Sequence, residues 1–351
     1  MAKPLAARAS YIRRTNHPFL ILALCIVMGS VSCSKAPLPV TSPSVRKVTI
    51  GIQVSPAMTL VMVAKDEGFF LQQGLDVELK EFTAGKFALQ SFLSGAVDFA
   101  VSGDVPVCLA ALQGNQTRVI TQVVEKTINE VRVVALKDRD KKTPSGPDDY
   151  FKKRKRRLAT SFGGGPEFFT YNFLRHHQIE QSSVEILSQR PEDMPAALAT
   201  HSVDAISIFD PFAFIAEKQL GDQAITFAAP DLYSELYVLN ARPEQIEKSP
   251  EVLGAILRAL VQAEAFVAQN PDRSKQIMQR YTKLDLDVIN GIWRSFSFKT
   301  ALNQTLIDYW NAEAIWAKDT AKVRPDTKVP DFKDFVDSRF LKQVNPSAVK
   351  L

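Results

Sequence analysis

The sequence has 351 residues, 46% of them apolar and 23% charged; that balance excludes a disordered or fibrous chain, and the length exceeds what one hydrophobic core usually serves, so two lobes are expected. Residues 1–32 hold four of the 43 basic residues and none of the 38 acidic ones, which leaves 39 against 38 and takes the formal net charge from +5 to near +1. So small a residual charge removes the compositional case for a nucleic-acid partner.

Lys3, Arg8, Arg13 and Arg14 precede "FLILALCIVMGSV", residues 19–31, an apolar run of signal-peptide length and shorter than a bilayer span. Gly29, Ser30 and Ser32 lead into Cys33, and "SVSC" resembles the lipobox of bacterial lipoproteins, with Ser30 where that motif prefers a branched aliphatic residue. The resemblance implies a signal peptide over 1–32, a lipid on Cys33, and an exported protein anchored to a membrane in the periplasm or at the cell surface. Residues 33–45, proline-rich and small, read as a tether. Cys25 lies in the signal, so Cys108 is the one cysteine of the body; it has no disulfide partner there, and its apolar context reads as a small buried hydrophobe.

The folded part opens at "KVTIGIQ", Lys47 to Gln53, a strand running to the turn "VSPAMT"; "LVMVAKDEGFF" then reads as a helix closing near Gly68. "DVELKEFT" is a strand ending at Ala84-Gly85, "KFALQSFLSG" a helix and "VDFAVSG" a third strand. Strand and helix alternate at the lengths of a parallel sheet built from right-handed crossovers. A helix is expected from Pro106 to about Gly114, then the strands "TRVITQVV" and "EVRVVALK". From Asp138 a polar stretch, "DRDKKTPSGPDDYFKKRKRR", marks the passage into a second lobe. There the alternation restarts with strand "RLATSF", loop "GGGPEF", helix "FTYNFLRHHQ", strand "VEILSQ", helix "MPAALATH", strand "VDAISIF" and a helix after Asp210-Pro211. "AITFAAP" and "SELYVLNA" are further strands, the second a candidate return to the first lobe. From Ser249, the expected cap, with Pro250 in the first turn, the pattern is helical and without strands through about Lys322.

One feature recurs. "VDFAVSGDVPVCLA", Val97 to Ala110, and "VDAISIFDPFAFIA", Val203 to Ala216, superpose at an offset of 106, with Asp98 on Asp204 and Asp104 on Asp210. Aspartate caps and first-turn prolines are common, so the repeat alone is better read as ordinary capping than as a functional feature. In an open parallel sheet, however, ligands bind at the carboxyl ends of the strands. Four loops sit there: "QVSPAMT" (53–59), "FTAGK" (82–86), "SGDVP" (102–106) and "FGGGPEF" (162–168), each before a helix whose free N–H groups favour an anion. The glycines of "GGGPE" let backbone amides approach a ligand, and no Gly-Lys-Ser/Thr follows to make a phosphate loop.

Taken in order, "IGIQ", "EGFF…GLDVEL", "SGAVDFAVSGD", "FGGGPEFF" and "VDAISIFDPF" resemble the substrate-binding proteins of bacterial ABC importers, in the group for aliphatic sulfonates, taurine, nitrate and thiamine precursors. The similarity runs over residues 46–322. It implies an α/β, two-lobed periplasmic-binding-protein fold of type II, with a ligand cleft between the lobes and a helical C-terminal segment. Lobe 1 would comprise 46–137 and 242–351, and lobe 2 residues 138–241. In that family the lobes close over a small solute and the closed form docks on a permease with its ATPase. The implied ligand contacts are Gln53, Ser55, Thr83, Gly85, Ser102 and Asp104, with Gly164, Gly165, Asp210 and Phe212 across the cleft; no cofactor, metal or catalytic residue is implied. Phe209 stands where relatives often have tryptophan.

"KKRKRR", Lys152 to Arg157, reads as a solvated lead-in to a strand or as a patch for permease or anionic lipid. His176 and His177, adjacent on a helix, point apart and do not make a paired metal site. Trp293, Trp310 and Trp316 read as packing C-terminal helices on a lobe. The alternatives to transport are a desulfinase-like or related cleft enzyme using Cys108, and a sensory binding protein. The charge of the solute stays open: helix N-termini and Lys86 favour an anion, whereas Asp104 and Asp210 repel one if they face it.

Overall fold

The computed structural model describes residues 45–138 and 143–351. The signal segment 1–32, Cys33 and the tether as far as residue 44 lie outside the described residues. Strand β1 (Arg46–Gln53) forms from a β-branched run whose inner half is buried on both faces, the pattern of a covered sheet. α1 (Thr59–Asp66) follows and stops before Gly68, whose φ of +74° no helix interior adopts. β2 (Leu75–Phe82), α2 (Gly85–Leu93), β3 (Phe99–Gly103) and α3 (Asp104–Leu112) continue the alternation. α3 opens at Asp104 rather than after Pro106, because a proline in the first turn removes a donor the helix does not use.

β4 (Arg118–Val124), β5 (Arg132–Leu136), β6 (Arg156–Thr160), α4 (Gly165–His176), β7 (Val184–Ser188), α5 (Met194–Ala199), β8 (Ala205–Ile208), α6 (Phe212–Leu220), β9 (Ala224–Phe227) and β10 (Tyr237–Ala241) come next. The main C-terminal helices are α7 (Pro250–Gln269), α8 (Pro271–Thr282), α9 (Leu286–Ile292) and α10 (Gln304–Asp319). Ser249 leaves α7 uncapped by its side chain; its hydroxyl accepts instead from Arg46 Nη2 at 2.9 Å. Along α7, Val252, Leu253, Ile256, Leu257, Leu260, Ala263 and Val267 are buried at helical spacing, and the helix lies against α1.

Two five-stranded sheets result. The first runs β2-β1-β3-β10-β4, with β1, β2 and β3 parallel and β10 antiparallel to both its neighbours. The second runs β9-β5-β8-β6-β7, with β6 parallel to β7 and β8 and β5 antiparallel to β8 and β9. Each sheet is therefore mixed rather than parallel throughout. β5, read from sequence as the last strand of the first lobe, pairs in the second sheet; β10, the candidate return strand, pairs in the first, so the return comes before residue 242. The chain crosses between Val124 and Arg132 and returns between Phe227 and Tyr237. These spans are short and leave no compositional mark, whereas the described part of the polar stretch, from residue 143, carries a short helix, Pro147–Lys152, and runs into β6 within the second lobe.

Two further expectations change. Two-residue strands interrupt the C-terminal helices, Phe296–Ser297 pairing with Lys126–Thr127 and Leu302–Asn303 with Val349–Lys350, too short to show a period. The basic run is only partly solvated. Arg156 is fully buried, with Nη1 and Nη2 at 2.7 and 2.8 Å from the two Asp138 oxygens and its guanidinium 3.8 Å above the Tyr150 ring. Arg154 donates to Asp204, while Lys152, Lys153 and Lys155 are exposed.

Candidate functional site

The first lobe brings three strand ends together. Gln53, at the end of β1, donates from Nε2 to Ser55 Oγ at 2.8 Å and accepts from the Gly85 N–H at 2.8 Å. A Cβ on Gly85 would stand 3.2 Å from the Gly103 nitrogen and 3.3 Å from the Ser102 Cα. Gln53, Ser55, Gly85, Ser102 and Gly103 thus form one buried knot, in which a side chain at 85 would press on the backbone of 102 and 103. Thr83, on the same loop, is exposed.

The repeated corners correspond in space. Asp98 accepts from the Thr49 amide at 2.7 Å and Asp204 from the Arg157 amide at 2.8 Å, so each fastens the start of the neighbouring parallel strand in its own lobe. At the far ends the two copies diverge. Asp104 Oδ1 accepts from its own helix at Val105 and from the Tyr233 hydroxyl, at 3.0 and 2.5 Å. Asp210 Oδ1 accepts from the Phe214 amide at 3.2 Å and pairs with Arg132 Nη1 at 2.9 Å. Phe212 is half-buried, its ring edge-on to Phe209.

Where the lobes meet, the second crossing span lies between the corners. A Cβ on Gly103 would stand 2.8 Å from Glu235 Oε1, and one on Gly165 would stand 2.7 Å from both Glu235 Cδ and the Tyr233 hydroxyl. Gly103 ends β3 in the first lobe and Gly165 opens α4 in the second, so Glu235 is held between the lobes. Gly164, just before, is half-buried. The two crossing spans are joined to each other, since the Thr127 amide donates to Ser234 Oγ at 2.8 Å and that hydroxyl donates back to the Thr127 carbonyl at 2.9 Å.

Around Glu235 the interior is acidic. Asp104, Glu130, Glu235 and Glu313 are all buried. Burial pushes the Asp104 carboxyl up to about 7 against the hydrogen bond from Tyr233. It pushes Glu130, Glu235 and Glu313 well above the usual carboxylate range, with repulsion between Glu130 and Glu235 and between Asp104 and Glu313 adding to it. The Tyr237 hydroxyl donates to Glu130 Oε1 at 2.8 Å. Asp210 is pushed by burial up to about 6 in spite of Arg132.

Sequence reasoning singled out Asp104 and missed Glu130, Tyr233, Glu235, Tyr237 and Glu313. A signal existed in α10, where Glu313 falls on the buried stripe of Leu306, Trp310, Ala314 and Ala317. A charge on an apolar face breaks the local pattern, and such breaks gather at functional sites. Glu130 and Glu235 likewise stand just ahead of wholly buried strands.

Other contacts hold the lobes shut. Lys86 donates to the Phe162 carbonyl at 3.0 Å, Lys322 pairs with Glu167 at 2.5 Å, and Tyr171 donates to Asp319 at 2.9 Å. Phe168 sets its ring edge against Tyr233 and Trp316. A groove of about 710 Å³ opens beside these contacts between α4 and the end of α10, away from Glu235, and its charged groups pair with one another. Cys108 is fully buried, its Sγ donates to the Trp310 carbonyl at 3.5 Å, and burial pushes its thiol up.

Residues 41–282 match the profile of the NMT1-like family. The chain is similar to the taurine-binding periplasmic protein of Escherichia coli strain K12, 26% identical over 312 residues that span 84% of this chain and 92% of that one. It is also similar to a putative aliphatic sulfonates-binding protein of Bacillus subtilis strain 168, at 22% over 330 residues, 92% of this chain and 96% of the other. The fold is that of the solved periplasmic aliphatic sulphonate binding protein SsuA from Escherichia coli, with a TM-score of 0.72 at 18% identity over 85% of this chain and 93% of that chain.

Proposed function

Since the chain belongs to the NMT1-like family, we propose that it is the exported substrate-binding component of an ABC importer, taking a small solute of the sulfonate, taurine or nitrate kind between its lobes and passing it to a permease. The observation that carries this reading is the meeting of Gly103 and Gly165, one from each lobe, on the single carboxylate of Glu235. Two lobes joined by two short spans and converging at one point can open and shut about the Thr127–Ser234 contact. A solute that touches both jaws binds the shut form better and shifts the population toward it. Gln53, Ser55, Gly85, Ser102, Asp104, Gly164, Gly165, Asp210 and Phe212 are its candidate contacts, with Thr83 at the rim.

The solute leaves unchanged, because Cys108 offers no nucleophile: a thiol buried beside Glu313 and Asp104 stays protonated. Cys33 carries the lipid that keeps the protein at its membrane, and a Cys33→Ala variant is then released into the soluble fraction.

The test is a thermal-shift and small-angle scattering screen of the purified protein against taurine, ethanesulfonate, isethionate, nitrate and ethanolamine. A ligand at 100 times its Kd adds about 2.7 kcal/mol of stability, which is a shift of several degrees for a protein of this size. A screen in which no compound raises the melting temperature or shrinks the radius of gyration defeats the proposal.

A further inference from the structure

The acidic side chains at the junction of the lobes lack the partners that their charged forms need. Asp104 Oδ2, Glu130 Oε2, Glu235 Oε2 and both oxygens of Glu313 have no hydrogen-bond partner among the described residues, although all four side chains are at least nine-tenths buried. The basic groups nearby are committed elsewhere: Arg132 to Asp210 and Glu217, Lys86 to the Phe162 carbonyl, and Lys322 to Glu167. In its ionised form each of these acids would cost several kcal/mol buried without a partner, so burial favours the protonated acid while no cation is at hand. A neighbour that brings both positive charge and N–H donors removes that cost. Among the described residues no group of three or more His, Cys, Asp and Glu is arranged to hold a metal ion, which turns the requirement toward an organic cation.

The location ties the requirement to the solute. Glu235 touches Gly103 and Gly165, and the Tyr233 hydroxyl that lies against Gly165 donates to Asp104. The unpartnered oxygens of Asp104 and Glu235 therefore stand where the two jaws meet. A simple anion placed there would face acidic groups with no free cation among the described residues to offset them, and the helix N-termini at Gly103 and Gly165 already lie against Glu235. The geometry points to a solute with a protonated nitrogen, an ammonium or amidinium, seated between Glu235 and Asp104, so that the cleft takes a cation or zwitterion and rejects a simple anion. This rests on the reading of the protein as a solute-capturing component and specifies the class of solute.

Matched probes test it by calorimetry on the full-length chain. Taurine and isethionate differ only in an ammonium replaced by a hydroxyl, while ethanolamine keeps the ammonium without the sulfonate. The expected result is that taurine or ethanolamine binds at least tenfold more tightly than isethionate, ethanesulfonate or nitrate. Glu235→Gln should weaken that binding at least tenfold while the unliganded variant melts no lower than the parent, since the amide replaces a carboxyl whose charged form burial already disfavours. Should Glu235→Gln prove insoluble, Asp104→Asn carries the same comparison. Isethionate or nitrate binding as tightly as taurine, or unchanged affinity in the soluble variant, overturns the inference and leaves the importer reading standing. No binding of any probe overturns both.

Discussion

Asp104 and Asp210 fill matching corners of the two lobes, 106 residues apart, and only Asp210 has a cation, with Arg132 Nη1 at 2.9 Å from its Oδ1. The guanidinium also reaches Glu217 at 2.7 Å, so one arginine balances two carboxylates. Truncating it strands a carboxylate that is 2% exposed. Arg132→Met should cost roughly 3–5 kcal/mol, and adding Asp210→Asn should recover much of that. Urea denaturation of the two variants checks both numbers; equal losses in the single and double variants would show that the pair is not the cause.

The contact of Gly165 with Glu235 and Tyr233 leaves no room for a methyl group. Gly165→Ala must push α4 away from the second crossing span or force those side chains aside, at a cost on the order of 1–3 kcal/mol. Because Gly165 and Asp104 are in different lobes, the relief lies in opening. Scattering should show a larger radius of gyration for Gly165→Ala, and Glu235→Ala together with Tyr233→Phe in the same chain should restore the parent value. An unchanged radius in the single variant would mean that the lobes are not wedged there.

How much of this was readable beforehand depends on the kind of signal each residue leaves. The alternation from Lys47 to Gly103 and the paired corners are local patterns, and they mark strand ends correctly: Gln53, Ser55, Gly85 and Ser102 lie together as a strand-end reading requires. The placing of β5 in the second sheet is a pairing choice between distant segments, and no periodicity encodes it. Arg156 looked solvated because its neighbours in sequence are lysines; its burial depends on Asp138 and Tyr150. Glu235 and Glu313 became visible as one cluster only when α10 was laid over α3, a contact across some 200 residues of chain.

The basic run should divide sharply under mutation. Arg156→Ala removes a buried guanidinium that is bidentate to Asp138 and stacked on Tyr150, and should cost about 3–5 kcal/mol. Lys152→Ala, Lys153→Ala and Lys155→Ala lie on the exposed side, where substitutions usually stay within about 0.5 kcal/mol. Chemical denaturation of the four variants separates a structural arginine from a surface patch; a uniform, small effect would return the whole run to solvent.

The acidic junction also predicts an unusual pH profile for the unliganded protein. Asp104 faces Tyr233 and Glu235 from the second crossing span and Glu313 from α10, with Glu130 and Tyr237 beyond, and no cation of the described residues stands among them. Its folded pKa, near 7, lies above the ordinary aspartate value of 3.8, and that of Asp210 follows at about 6. Between those limits the folded state holds protons that the unfolded chain has released. Stability is therefore fully present below about pH 4 and is lost as pH rises through 6 and 7. Asp138, held low by Arg156, and Asp204, held low by Arg154 and Arg157 against its burial, act in the opposite sense but only below the ordinary carboxylate range. Each pH unit of mismatch on one buried carboxyl is worth on the order of 1 kcal/mol, so the unliganded protein should melt several degrees higher at pH 5 than at pH 8. Thermal denaturation at the two values decides the matter, and Asp104→Asn should flatten the difference. A protein that melts higher at pH 8, or a profile that Asp104→Asn leaves untouched, would place the protons elsewhere.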